Sequence, residues 1–240
     1  MGGNSGISAL LRLVRLKARG AAADVRGYAR RTAIGAGESW AQPIRTMTFT
    51  ALDCEMTGLD PAKDEILSIG AVRIRGNRIA MAERFYQVFK PTEAVSSKEV
   101  ILIHGLGPDE LRSGVPLGEA LDRLLAFVGD SVLVGHCTRI DLAFLNAALA
   151  RRGHRPLPNP ALDTRLLHEW SRRRASPTRP ARGDASLDDL VRELGLPRYP
   201  AHHAFYDALT TGLAFLKLLG ELEASGAVQF KALYREAGVY

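Results

Sequence analysis

The chain has 240 residues, 46% hydrophobic and 24% charged, with two cysteines and a formal net charge of +6. That length buries a full core and suits one domain with extensions better than two equal domains, and the hydrophobic content is ordinary for a globular protein. No apolar run reaches membrane-spanning length, which excludes a transmembrane protein, and Cys54 and Cys137 lie too far apart in sequence for a metal-ligand or redox spacing.

Of the 32 basic and 26 acidic residues, eight and two respectively fall in residues 1–46, so this stretch carries the whole positive excess. Residues 1–45 are expected to form a basic N-terminal extension. Within it, residues 7–19 alternate leucines with Arg12, Arg15, Lys17 and Arg19 at roughly helical spacing. A basic amphipathic helix suits peripheral membrane contact, a protein partner or nucleic acid; a basic tail without fixed structure fits the same residues. Gly35 to Ser39 reads as a linker. Two cysteines and no secretory signal fit a reducing compartment, so a cytoplasmic location is expected, and a bridge between the two thiols stays open.

A β-branched, apolar run from Thr46 to Leu52 predicts a strand that ends at Asp53. Further strands are predicted over Glu65 to Arg75 and Arg78 to Phe89, joined at Gly76-Asn77 as a hairpin. Apolar residues at helical spacing predict a helix over Pro116 to Val128, then a short strand over Ser131 to Val134 and a helix over Arg139 to Arg152. Ala161-Leu162 predicts a short strand leading into a helix at Thr164 to Arg174. Ser186, Asp188, Asp189 and Gly195 supply the cap, first turn and stop of another helix. A long amphipathic helix is expected from His202 to Leu219. A meander followed by alternating helices and strands argues a mixed α/β domain over residues 46–222, with 223–240 as a C-terminal tail.

The chemistry begins at Leu52-Asp-Cys-Glu-Met-Thr-Gly-Leu-Asp-Pro61. Residues two apart on a strand point to the same side, so Asp53 and Glu55 share a face. Two carboxylates held that close repel each other, and a hard divalent metal relieves the repulsion through oxygen ligands. Downstream, Asp141 falls just inside a helix that follows a strand. His202 and Asp207 bracket the start of the last long helix. Each acid or histidine taken singly also fits a surface charge or a helix cap.

Together, Asp53-x-Glu55-x-Thr57-Gly58, Gly135-His136 with Asp141 before Leu142-Ala-Phe-Leu145, and His202-x-Ala204-x-x-Asp207 resemble the three motifs of the DnaQ-like DEDDh exonuclease family. Ile103-His104-Gly105, Leu162-Asp163-Thr164 and Ser186 to Leu190 match its flanking segments, and the resemblance covers residues 46–222. It implies a ribonuclease H-like mixed sheet flanked by helices. It also implies 3′→5′ hydrolysis of phosphodiester bonds at single-stranded 3′ ends with two divalent ions, Mg²⁺ or Mn²⁺. Two metals about 4 Å apart supply a hydroxide, neutralise the phosphate and stabilise the leaving oxygen. The implied metal ligands are Asp53, Glu55, Asp141 and Asp207. His202 is the implied general base, because imidazole titrates near neutral pH and the offset to Asp207 selects it over His203. Met56, Thr57, Gly58, His104 and His136 are the implied substrate contacts.

The chain departs from the family pattern at Cys137, where many relatives have Asn, at Ile140, where they have Phe, and at Met56, where Thr is commoner. The stretch Glu-Met-Thr-Gly-Leu-Asp-Pro is also similar to the first motif of oligoribonucleases, so an exoribonuclease acting on RNA or short oligonucleotides is the alternative. A non-catalytic nucleic-acid-binding module is a third reading. DNA repair or proofreading, with a polymerase or other protein partner, is the expected setting. Arg172, Arg173, Arg174, Arg179 and Arg182 form a second basic cluster, expected to touch the phosphate backbone near the site.

Overall fold

The computed structural model describes residues 43–92, 104–176, 178, 185–226 and 229–239. The expectations for residues 1–42, for Ile103, and for Arg179 and Arg182 lie outside the described residues. A meander opens the fold: β1 (Thr48–Met56), β2 (Ile66–Arg75) and β3 (Arg78–Val88). Then follow α1 (Pro108–Ser113), α2 (Leu117–Val128), β4 (Val132–Gly135), α3 (Arg139–Arg151), β5 (Ala161–Asp163) and α4 (Thr164–Ala175). The chain closes with α5 (Leu187–Leu194), α6 (Ala204–Ala224), α7 (Phe230–Ala237) and β6 (Gly238–Val239).

One six-stranded mixed sheet has the order β3-β2-β1-β4-β5-β6. β1 pairs antiparallel with β2 and parallel with β4, β4 continues parallel to β5, and β6 closes the edge antiparallel to β5. Alternation along β1 sends Phe49 and Ala51 to a face covered by α4 to α7, and Leu52 and Cys54 to a face covered by α2 and α3. Each face buries its own apolar cluster. Phe49 meets Phe215 of α6 with ring centroids 4.8 Å apart at the centre of the first.

Local chemistry fixes the helix ends. Ser186 and Asp189 form a reciprocal capping box at the start of α5, and Gly195 stops it with φ 62°. Asp163 caps α4 by accepting from the Arg165 amide.

Two expectations are corrected. β1 does not end at Asp53: pairing with β2 carries it to Met56, so both acids sit inside the strand. The described part of residues 223–240 packs into the domain instead of forming a tail. α6 runs through to Ala224; Phe230, Leu233, Tyr234 and Ala237 form the buried stripe of α7; and β6 joins the sheet. That 0, 3, 4, 7 spacing is an amphipathic helix signature in the sequence itself. Among the described residues, no helix is long and apolar enough to cross a membrane.

Candidate active site

Asp53 and Glu55 leave β1 on the face covered by α6. The first turn of α6 brings Asp207 to them, and an oxygen from each of the three residues lies within 4.8 Å of the other two. The approach depends on Gly70, which pairs with Asp53 across β1 and β2. A Cβ at Gly70 would fall inside 3.0 Å of the backbone of Ala204 and Phe205, so only glycine lets the start of α6 descend onto the sheet.

Asp141, near the start of α3, is buried beside this trio. Its Oδ1 accepts the Cys54 amide at 3.0 Å. It therefore interacts with the trio through charge while standing outside its tightest cluster. Burial, then the charges of Asp141, Glu55 and Asp207, hold the Asp53 carboxyl well above the usual range. Burial pushes Asp141 up to about 8 and Asp207 up to about 7. Acids packed this way are costly as bare anions. Their donor set is carboxylate oxygen alone, which fits hard divalent cations such as Mg²⁺ or Mn²⁺.

The two adjacent histidines separate cleanly. His202 is exposed, holds φ 60°, and donates its amide to Asp207 Oδ2 at 2.8 Å. His203 lies between Tyr86 and Tyr206, with ring centroids 4.8 Å from each, and its Nδ1 is covered without a hydrogen-bond partner. Among the described residues, His202 and Cys137 are the two non-glycines with positive φ. Each precedes an acid of the site by four or five positions, so the backbone strain collects there.

The implied substrate contacts divide. His104 Nδ1 lies against Glu55 Oε2, which brings it to the acidic cluster. Thr57 and Gly58 shape the loop after β1. The Thr57 hydroxyl donates to Asp64 Oδ1 at 3.2 Å and accepts the Glu65 amide at 3.0 Å. Gly58 packs where a Cβ would strike the Asp64 carboxylate. Met56, the last residue of β1, is half-buried against the α2–α3 face.

His136, expected as a substrate contact, is hydrogen-bonded within the protein. Its Nδ1 meets the Thr164 hydroxyl and its Nε2 the Ala185 carbonyl, both at 3.0 Å, and burial lowers its pKa. The Ala185 carbonyl can only accept, so the neutral ring carries its proton on Nε2, and Nδ1 faces the Thr164 hydroxyl, which also donates to the Gly135 carbonyl at 3.0 Å. Through these two contacts the ring ties the end of β4 to the start of α4 and the entrance of α5.

The described arginines of the second cluster are corrected as well. Arg172 pairs with Glu193 at 3.3 Å and Arg173 with Glu236 at 3.5 Å. Arg174 donates to the Ser225 carbonyl at 2.7 Å, at the C-terminal end of α6. Asp207 is at the other end, so at 1.5 Å per helical residue they lie about 27 Å apart. These arginines bind the domain's own acids and a helix terminus, far from the acidic trio.

Cys54 and Cys137 are free thiols. Gly70, Asp64 and the aromatic residues around His203 were missed in the sequence reading. A glycine inside an otherwise apolar strand marks a close backbone approach, and that signal was available at Gly70.

A family model described as Exonuclease (RNase_T) matches residues 50–215. The DNA polymerase III PolC-type of Thermotoga maritima is 31% identical over 186 residues, 78% of this chain and 13% of that protein. The DNA polymerase III subunit epsilon of Aquifex aeolicus is 30% identical over 175 residues, 73% of this chain and 82% of that one. The chain spans only 13% of the Thermotoga maritima protein and 14% and 27% of two further relatives. Among solved structures, E. coli Exonuclease I in complex with a dA16 oligonucleotide superposes with a TM-score of 0.65 at 19% identity, covering 79% of this chain and 43% of that one. Cell-death related nuclease 4 superposes at 0.62 with 14% identity, covering 73% and 64%. The mixed sheet with helices on both faces is thus the ribonuclease H-like fold of these exonucleases.

Proposed function

The chain belongs to the exonuclease family, and from that membership we propose that it is a metal-dependent 3′→5′ exonuclease acting on single-stranded DNA ends, in repair or proofreading. The observation that carries the reading is the convergence of Asp53, Glu55 and Asp207 within 4.8 Å. Asp53, Glu55 and Asp207 would hold one divalent ion, and Asp141 would support a second beside Asp53. Bound divalent ions supply phosphate neutralisation, a water of lowered pKa and stabilisation of the leaving oxygen.

The chain's own groups do the rest. His202, exposed at the mouth of the cluster, takes the proton of the attacking water through its ring. The hydrogen bond from its backbone N–H to Asp207 fixes the distance between base and carboxylate. His104 sits on Glu55 and restrains that side chain. The Cys54 amide orients Asp141. The backbone after Glu55, at Met56 and Thr57, meets the terminal nucleotide. The relatives named as DNA polymerase III chains support a polymerase as partner. The two free thiols support a reducing, cytoplasmic setting.

RNA ends are the second reading, favoured by the Met56-Thr57-Gly58-Leu59-Asp60-Pro61 continuation of the first motif. The test incubates wild type and Asp53→Ala with 3′- and 5′-labelled single strands of DNA and of RNA, with Mg²⁺ or Mn²⁺. Shortening from the 3′ end by wild type and none by the variant is the expected result. Equal digestion by Asp53→Ala would place the chemistry elsewhere, and preferential loss of the RNA strand would favour the second reading.

A further inference from the structure

We propose that four rings beside the acidic cluster, Tyr86, His203, Tyr206 and Tyr199, form a stacking platform for the bases of the substrate strand just upstream of the nucleotide being removed. The proposal rests on the exonuclease reading of the cluster and adds how the strand is held there.

The sheet register places the platform. Asp53 pairs with Gly70, and Gly70 with Tyr86. Directly opposed residues of antiparallel strands project on the same face, so Asp53 and Tyr86 flank the side-chain gap at Gly70. Two inter-strand steps separate them, about 10 Å. The start of α6 descends into that gap, with Ala204 against Gly70. His203 is thereby laid flat on Tyr86, centroids 4.8 Å apart and planes 20° from parallel. Tyr206 continues the row at 4.8 Å from His203, and Tyr199 stacks on Tyr206 at 5.8 Å with planes 5° apart. Phe205 closes it edge-on against Tyr86 and Tyr206. In sequence the row interleaves with His202 and Asp207, so any strand whose end lies at those residues passes beside it.

A purely structural sheaf would be covered. This one is not: Tyr86 is 38% and Tyr199 39% exposed, and with Met81 they are the exposed large hydrophobic residues among those described. Rings left half in water at the mouth of a site are what unpaired bases stack on, whatever their sequence. The charge agrees. Residues 196–206 contain no acid, and Arg198, exposed and paired with no described residue, sits next to Tyr199 where a phosphate would run. Glu110 bounds the row at its Tyr86 end, so the strand is expected to leave by Tyr199.

The test compares steady-state KM and kcat on single-stranded oligonucleotides of two and of eight nucleotides, for wild type, Tyr199→Ala and Tyr199→Phe. Thermal melting confirms that the variants fold. Loss of one stacked base predicts a KM for the octamer about tenfold higher in Tyr199→Ala, with kcat little changed. Tyr199→Phe, which keeps the ring, should restore it, and the dinucleotide should respond much less. An unchanged octamer KM overturns the platform, as does an equal loss on both lengths, which would mean that Tyr199 only braces α6. A wild type that shortens neither substrate overturns the exonuclease reading itself, whereas full wild-type activity with indifferent variants overturns the platform alone.

Discussion

Replacing Gly70 by Ala isolates the step on which the site depends, the descent of α6 onto the sheet. The new Cβ would sit inside 3.0 Å of the Ala204 carbonyl and the Phe205 nitrogen, all backbone atoms that no rotamer change can move. Restoring ordinary contact near 3.4 Å requires the start of α6 to retreat by about 1 Å. Asp207 lies three residues beyond Ala204 and travels with it, out of a cluster now held within 4.8 Å. A displacement of that size in a catalytic constellation costs about a hundredfold in rate. The overpacking itself costs about 1–3 kcal/mol, which for a domain of this size lowers Tm by roughly 2–12 °C. Gly212→Ala is the control on the same helix. Its Cβ would meet the side chains of Ile79 at 3.2 Å, Ala51 at 3.4 Å and Ile74 at 3.5 Å, and two of these can rotate aside. A gain of about 1 kcal/mol in helix propensity offsets that crowding. Initial rates on a labelled single strand and thermal melts of both variants decide the matter. If Gly70→Ala keeps wild-type rate, or if Gly212→Ala loses as much, the close approach at Gly70 does not position the acid.

Exchanging His202 for Ala should lower kcat about 10²- to 10⁴-fold, the range for a lost general base, whereas His203→Ala should act mainly on KM; the reverse pattern in initial-rate kinetics would exchange their roles. Burial raises Asp141 from 3.8 to about 8 and Asp207 from 3.8 to about 7. The metal-free folded protein therefore keeps protons that the unfolded chain has released, and its stability falls as pH rises from about 4 to about 8. A bound cation expels those protons, so the rise in Tm on adding MgCl₂ to chelator-treated protein should grow across the same interval; equal shifts at its two ends would contradict the assignment. Cys137 holds φ 60°, a conformation that Asn tolerates better than other L-residues. Cys137→Asn should raise Tm by about 2–4 °C, for a gain of about 1 kcal/mol, and Cys137→Val should lower it; a neutral Val would show that the position carries no strain.

The parts legible in the sequence were those encoded within one element. Alternation put Asp53 and Glu55 on one face, the offset of five residues tied His202 to Asp207, and Ser186 and Gly195 bounded a helix by their own chemistry. What escaped depends on which elements meet. A motif histidine reads the same whether its nitrogens face a substrate or, like those of His136, a hydroxyl and a carbonyl of the protein. Basic side chains clustered on one stretch read as a phosphate surface until the far end of α6 and two acids are found beneath them. The same limit explains the strained residues. Neither Cys137 nor His202 announces a left-handed backbone, since neither is glycine, yet both local rules are broken next to acids of the site. Local preference yields where function needs a particular geometry, and the surrounding contacts hold the cost. At His202 that contact is the hydrogen bond from its backbone N–H to Asp207, so the group that restrains the base is itself one of the carboxylates it serves.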